Sequence, residues 1–237
     1  MHSVCRYFLI PISIMCVCLS ACSSSDTVSS PQRWVLTMAD EFDGEDGSSP
    51  SSELWEMETG YGSDGWGNDE WQLYTNSTDN VRIETKRAED GTLEDDGYLV
   101  ITAQCDAATC GKRDGTITSG RIKTQRLFQQ QYGRFEARIK LPEGAGYWPA
   151  FWMLGANIEE VPWPGCGEID IMENVGRRPE QIFGTLHGPG YSAGESIGSE
   201  FDLPEGETFA DDFHVFAVEW DPSRISFSVD GEVQNGV

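Results

Sequence analysis

No long stretch of the chain repeats apolar residues at helical spacing; short β-rich runs instead end, again and again, in Gly, Asp, Asn or Pro. A helical bundle or a helix-covered parallel sheet would need apolar-striped helices of ten residues or more, so both are excluded. The clearest run is 132–141. There Tyr132, Arg134, Glu136, Arg138 and Lys140 alternate with Gly133, Phe135, Ala137, Ile139 and Leu141. Side chains two apart share a face of a strand, so this strand is expected to bury one face and wet the other. Residues 98–104, 117–124 and 214–221 read the same way, and 225–229 runs into Asp230-Gly231, a hairpin turn. The expected fold is all-β, an antiparallel sandwich. The 237 residues suffice for one large β domain with a sizeable core, and no internal repeat or second domain is visible.

The segment from Trp163 to Gly176 carries the chemistry. Its first half alternates by two, so Glu168 and Asp170 share one face while Ile169 and Ile171 take the other. Unbroken alternation would send Glu173 to the apolar side. A bulge absorbing one residue near Met172 is therefore expected, and it would bring all three acids onto one surface. Three carboxylates on one strand face repel one another, which packing alone explains poorly; the plain alternative is a solvated acidic edge strand.

Retaining cleavage of a glycoside needs two close carboxyl groups, one attacking the anomeric carbon and one protonating the leaving oxygen. Across the bulge the Cα atoms of Glu168 and Glu173 would stand roughly 13 Å apart, so two long side chains must lean together above the shorter Asp170. The negative charges of Glu168 and Asp170 are expected to raise the pKa of Glu173 and keep it protonated as an acid. Asp170 is expected to hydrogen-bond Glu168. The three acids form one coupled unit.

The run Glu168-Ile-Asp-Ile-Met-Glu173 resembles the bulged active-site strand of glycoside hydrolase family 16, in particular its laminarinase-like endo-β-1,3-glucanases. The likeness extends to Asp40-Glu41-Phe42, 67–72 (GNDEWQ), 119–122 (SGRI), 132–134 (YGR), 148–153 (WPAFWM), His187-Gly188 and 214–221, all in family order from about residue 34 onward. It implies a β-jelly roll of concanavalin A type with a concave cleft. Glu168 would be nucleophile, Glu173 acid/base and Asp170 their helper. Asn68, Arg121, Trp148, Trp152, Trp163 and His187 would contact the sugar. Indole faces stack on pyranose rings, and Asn, Arg and His hydrogen-bond hydroxyls. Each also has a plain reading, Trp148, Trp152 and His187 as core residues above all. Residues 60–67 read as a cleft-edge loop, because no Lys-Ser/Thr ending marks a phosphate cradle.

The same resemblance implies β-1,3-glucan or mixed-linkage glucan as substrate, with marine galactans as an alternative, and no cofactor for catalysis. It also implies further strands beyond the Asp230-Gly231 turn, one carrying a Gly-Gly-Trp-like segment, and an acidic residue that helps bind a structural calcium. The sequence ends at Val237, so the domain 33–237 is expected to lack those strands and the calcium to be held poorly, if at all.

The first 21 residues read as an export leader: Arg6, then an uncharged and mostly apolar run to Ala21 that is short and interrupted by Pro11. Leu19-Ser-Ala-Cys22 resembles a lipoprotein cleavage site, which would leave Cys22 lipidated and anchored to the bacterial envelope; Ser23 fits sorting to the outer membrane. The alternative is an ordinary signal peptide. Residues 22–32 are a Ser-rich tether.

The formal charge of −24, one unit more negative without Arg6, argues against nucleic acid and anionic lipid as partners. A neutral polysaccharide fits, with the lipid anchor as the one membrane contact and the chain monomeric. Of the cysteines outside the leader, Cys105 and Cys110 either close a local disulfide or remain two buried thiols, and Cys166 stands alone. No metal site is expected: no cysteine has zinc-like spacing, and only His187 and His214 remain past the leader.

Two rival functions follow from the sequence. A non-catalytic sugar-binding protein on the same sandwich would need the tryptophans but not the acids. A serine esterase would use Gly194-Glu-Ser196-Ile-Gly198 with Asp211, Asp212 and His214, but the flanks lack the strand before and the helix after that a nucleophile elbow requires.

Overall fold

The structure is a computed structural model, and it describes residues 34–85, 97–106, 110 and 117–234. The leader and the whole tether, Cys22 included, lie outside the described residues. In chain order the strands are β1 (Glu56–Met57), β2 (Leu73–Tyr74), β3 (Val81–Glu84), β4 (Tyr98–Ile101), β5 (Gln104–Cys105), β6 (Ile117–Ser119), β7 (Ile122–Lys123) and β8 (Gly133–Ile139). They continue with β9 (Ala150–Leu154), β10 (Glu168–Asn174), β11 (Gln181–His187), β12 (Ile197–Asp202), β13 (His214–Asp221), β14 (Arg224–Val229) and β15 (Glu232–Val233).

Two four-stranded antiparallel sheets form the body, ordered β12-β11-β10-β9 and β15-β14-β13-β8. They bury their apolar faces against each other. Ile171, Met172 and Ile182 from the first sheet meet Phe216, Val218, Phe227 and Val229 from the second, with Leu141 and Phe209 closing the core. This is the layered arrangement of a β-jelly roll. In β8 the expected alternation is present: Phe135, Ala137 and Ile139 are half-buried while Glu136 and Arg138 are exposed. The Asp230-Gly231 turn is a two-residue hairpin joining Val229 to its partner Glu232. Both turn residues have positive φ (50° and 82°), as a type I′ turn requires.

Two expected strands are broken. Residues 117–124 divide at Gly120, so that β6 joins β2 and β5 whereas β7 pairs with β1. The cause is close packing: a Cβ on Gly120 would lie 2.1 Å from Val81 Cγ2, so the chain must bend past β3 and β4. Residues 98–104 divide where the Thr102 N–H turns to the carbonyl of Asn80. One short pairing, β2 with β6, is parallel rather than antiparallel. Cys105 and Cys110 form a disulfide, and Cys166 is a free thiol.

Candidate active site

The acid strand β10 is bulged where the sequence requires it. Against β11 the register shifts by one residue between Asp170 and Glu173, and against β9 between Asp170 and Met172. As a result Ile171 and Met172, consecutive in sequence, are both buried in the core at 1% exposure. With that residue absorbed, Glu173 returns to the face of Glu168 and Asp170. The neighbouring strands add their own outward residues in register: Trp152 of β9 opposite Asp170, and His187, Thr185 and Phe183 of β11 opposite Glu168, Asp170 and Glu173. The same alternation that sends Phe151, Met153 and Leu186 toward the core sends these residues to the acid face.

Each glutamate is held by a tryptophan. Trp148 Nε1 donates to Glu173 Oε1 at 3.0 Å, and Trp163 Nε1 donates to Glu168 Oε2. Both indoles are exposed, Trp148 at 50% and Trp163 at 44%, so neither is a core residue. His187 stacks obliquely on Trp163, with ring centroids 5.9 Å apart.

Burial dominates the electrostatics. Asp170 is pushed up to about 9, first by desolvation, then by the charges of Glu168 and Glu173 and a hydrogen bond to Glu168. Asp170 is thus a neutral donor to Glu168 at neutral pH. Glu173 is also raised, again chiefly by burial, with the charge of Glu168 adding to the rise. The hydrogen bonds from Trp148 and Thr185 pull the other way. The expected rise of Glu173 and the share of Glu168 in it are present, and two points of the expectation are corrected. Desolvation leads, and Asp170 itself takes up a proton instead of supplying a charge.

Arg121 sits at the next remove. Its guanidinium lies 4.6 Å from the Trp66 ring and 4.9 Å from the Trp152 ring, and its Nε pairs with Glu58. It buttresses Trp152, the neighbour of Asp170, from within a cage. Asn68 is exposed and hydrogen-bonds Glu70, which Tyr74 links onward to Arg121. Its described hydrogen bond thus does not bring it to the acids. Sequence reasoning missed Thr185, Trp66 and Glu58. Alternation along β11 from His187 would have found Thr185; the Gly-rich loop bearing Trp66 has no periodicity to read.

Ser196 ends a single 3-10 turn and precedes β12, while His214 bonds Asp230. No nucleophile elbow is built there. Among the described residues no group of three or more His, Cys, Asp or Glu side chains is placed to hold a metal ion.

A bulged strand that presents three carboxylates beneath indole donors, on the outer face of a two-sheet sandwich, defines a carboxylate-based carbohydrate site. The chain belongs to the glycosyl hydrolases family 16, whose model matches residues 65–237. It is 39% identical over 207 residues to glucan endo-1,3-beta-glucosidase A1 of Niallia circulans, a match covering 83% of this chain and 28% of that protein. It is 37% identical over 227 residues to the beta-glucanase of Rhodothermus marinus, covering 94% of this chain and 71% of that protein. The laminarinase catalytic domain of Thermotoga maritima MSB8 superposes with a TM-score of 0.69 at 38% identity, over 87% of this chain and 78% of that one.

Proposed function

We infer that this chain is an endo-acting β-1,3-glucan hydrolase that works by double displacement with retention at the anomeric carbon. The observation that carries the reading is the register shift in β10, which gathers Glu168, Asp170 and Glu173 on one face. The glucan endo-1,3-beta-glucosidase and laminarinase relatives support the substrate class.

Glu168 is the nucleophile. The proton of neutral Asp170 orients it, and Trp163 donates to its second side. Its oxygen attacks the anomeric carbon as the glycosidic bond breaks, and Glu173, kept protonated by burial, gives its proton to the departing oxygen. Esterification of Glu168 removes one negative charge beside Glu173, whose pKa falls. Glu173 then takes a proton from water, which attacks the anomeric carbon and releases Glu168. The exposed indole faces of Trp148 and Trp163 are platforms for pyranose rings. No cofactor enters either step.

Export, lipidation at Cys22 and attachment to the outer membrane belong to the same proposal, supported by the leader and the Ser-rich tether, and so does a monomeric state. Proton NMR of laminarin digestion tests the chemistry. The first-formed reducing end is expected as the β-anomer, and Glu168→Ser is expected to abolish turnover. An initial α-anomer would sink the assignment of Glu168, and binding to insoluble β-glucan without release of reducing ends would instead favour a binding protein. Radiolabelled palmitate incorporated into wild type but not into Cys22→Ala tests the anchor.

A further inference from the structure

Trp148 precedes β9 at the end of the loop that leaves β8, and the residues on both sides of it are tied to the chain just past Glu173. The Tyr147 carbonyl accepts the Gly176 N–H at 2.9 Å, and the Pro149 carbonyl accepts the Asn174 N–H at 3.1 Å. The loop is fastened a third time where the Gly144 N–H reaches the Gly176 carbonyl at 2.8 Å. Nothing larger than glycine fits at the fastening point. A Cβ on Gly176 would lie 2.5 Å from the Gly144 oxygen and 2.9 Å from Tyr147 Cβ.

We propose that Trp148 is a positioning residue for the reaction: the β8–β9 loop clamps it to the end of β10 so that its indole N–H, and not only its ring face, serves Glu173. The proposal rests on the reading of Glu173 as the acid/base. A backbone held at two points on either side of one side chain fixes where that side chain's edge falls, and here the edge falls on Glu173 Oε1 at 3.0 Å. The bond is charge-assisted when Glu173 is ionised, so it favours the carboxylate and restrains the rise that burial imposes. An acid raised too far donates its proton poorly; the indole holds Glu173 in the range where it can both give and take one. The other groups facing Glu173 are Glu168 and Asp170 on its own strand and His187 and Thr185 on β11. Ala150 on β9 brings no charge.

The test is a carbon-13 titration of the Glu173 carboxyl in the unliganded protein, alongside the pH profile of kcat/KM on laminarin. Trp148→Phe keeps an aromatic face and removes the N–H. It is expected to raise the Glu173 pKa by about half a unit or more, to carry the alkaline limb of the profile upward with it, and to lower kcat several-fold. Gly176→Ala keeps the indole but forces the loop off β10, and is expected to shift Glu173 in the same direction. A Glu173 titration unmoved in Trp148→Phe, with only KM raised, would reduce Trp148 to a stacking platform and overturn the proposal. If the titration moves but wild type fails to cleave laminarin, the functional reading falls while the hold of the indole on Glu173 stands.

Discussion

His187 Nε2 lies 3.2 Å from the buried Oδ2 of Asp170, while its Nδ1 accepts the backbone N–H of Ala193 at 3.1 Å. A ring nitrogen that accepts carries no proton, so Nε2 carries it and faces the acid. The approach to Oδ2 is close but poorly aligned, and that oxygen has no well-directed hydrogen bond. His187 therefore reaches the reaction through Asp170 as well as through any sugar hydroxyl. His187→Gln places an amide N–H near where Nε2 stands and is expected to keep about a third of kcat, against about a tenfold loss in His187→Ala. Initial rates on laminarin decide; equal losses would mean that the N–H is irrelevant.

Asp170 makes the site costly to fold. Its ordinary pKa of 3.8 is pushed up to about 9, so between these values the folded protein holds a proton that the unfolded chain has released. Stability falls wherever the folded state binds more protons as pH rises, by up to about 1.4 kcal/mol per unit. The contribution is flat below about pH 4, declines through the window and is flat again above about 9. Asp170→Asn is neutral at every pH and removes the decline. Because Glu168 and Glu173 share the same electrostatics, the expected gain at pH 8 is about 2 kcal/mol, or about 4–8 °C in Tm, with reduced turnover. Melting curves at pH 4.5 and pH 8 test it, the two proteins converging at the lower pH. A Tm difference independent of pH would contradict a protonated Asp170.

Much of this site was legible because period-two alternation and one required bulge are local signals. The acids, the apolar pair Ile171-Met172 and the Asp230-Gly231 turn all follow from spacing along a single strand or hairpin. The hydrogen bonds from Trp148 and Trp163 were not legible. Indoles suggest stacking, and only the fold shows which way an N–H edge points. Nor was the enclosure of Arg121, whose partners Glu58, Trp66 and Trp152 come from three separate segments. Gly120 interrupts a well-patterned strand for a reason that lies in β3 and β4, far away in sequence.

The Arg121 cage predicts that charge alone will not suffice there. A planar guanidinium can lie against two indoles and pair with Glu58 at once, whereas an ammonium is compact and strongly hydrated. Arg121→Lys is expected to cost about 1–2 kcal/mol of stability and, by loosening Trp152, to raise KM for laminarin by about three- to tenfold. Thermal melts and Michaelis–Menten curves on the same preparation test both effects, and a KM unchanged alongside a lowered Tm would confine Arg121 to a structural role.

A tight contact between the two main sheets predicts a defect that starts in the core and ends at the acids. Gly184 of β11 faces Phe227 of β14, and a Cβ there would stand 2.8 Å from the ring carbon Cγ and 3.0 Å from each Cδ. Phe227 is 1% exposed within the core cluster and has nowhere to turn. Gly184→Ala must push β11 outward, at an expected cost of about 1–3 kcal/mol. The residues on either side of Gly184 are Phe183, paired with Glu173, and Thr185, paired with Asp170. Displacing β11 therefore misplaces the groups that flank two of the three acids, and kcat is expected to fall while KM changes little. Gly194→Ala, where an added Cβ meets nothing within 4 Å, is the matched control and should leave Tm unchanged. If Gly184→Ala lowers Tm but leaves kcat intact, the acid face is insulated from the packing beneath it, and sheet contact and site geometry are not coupled.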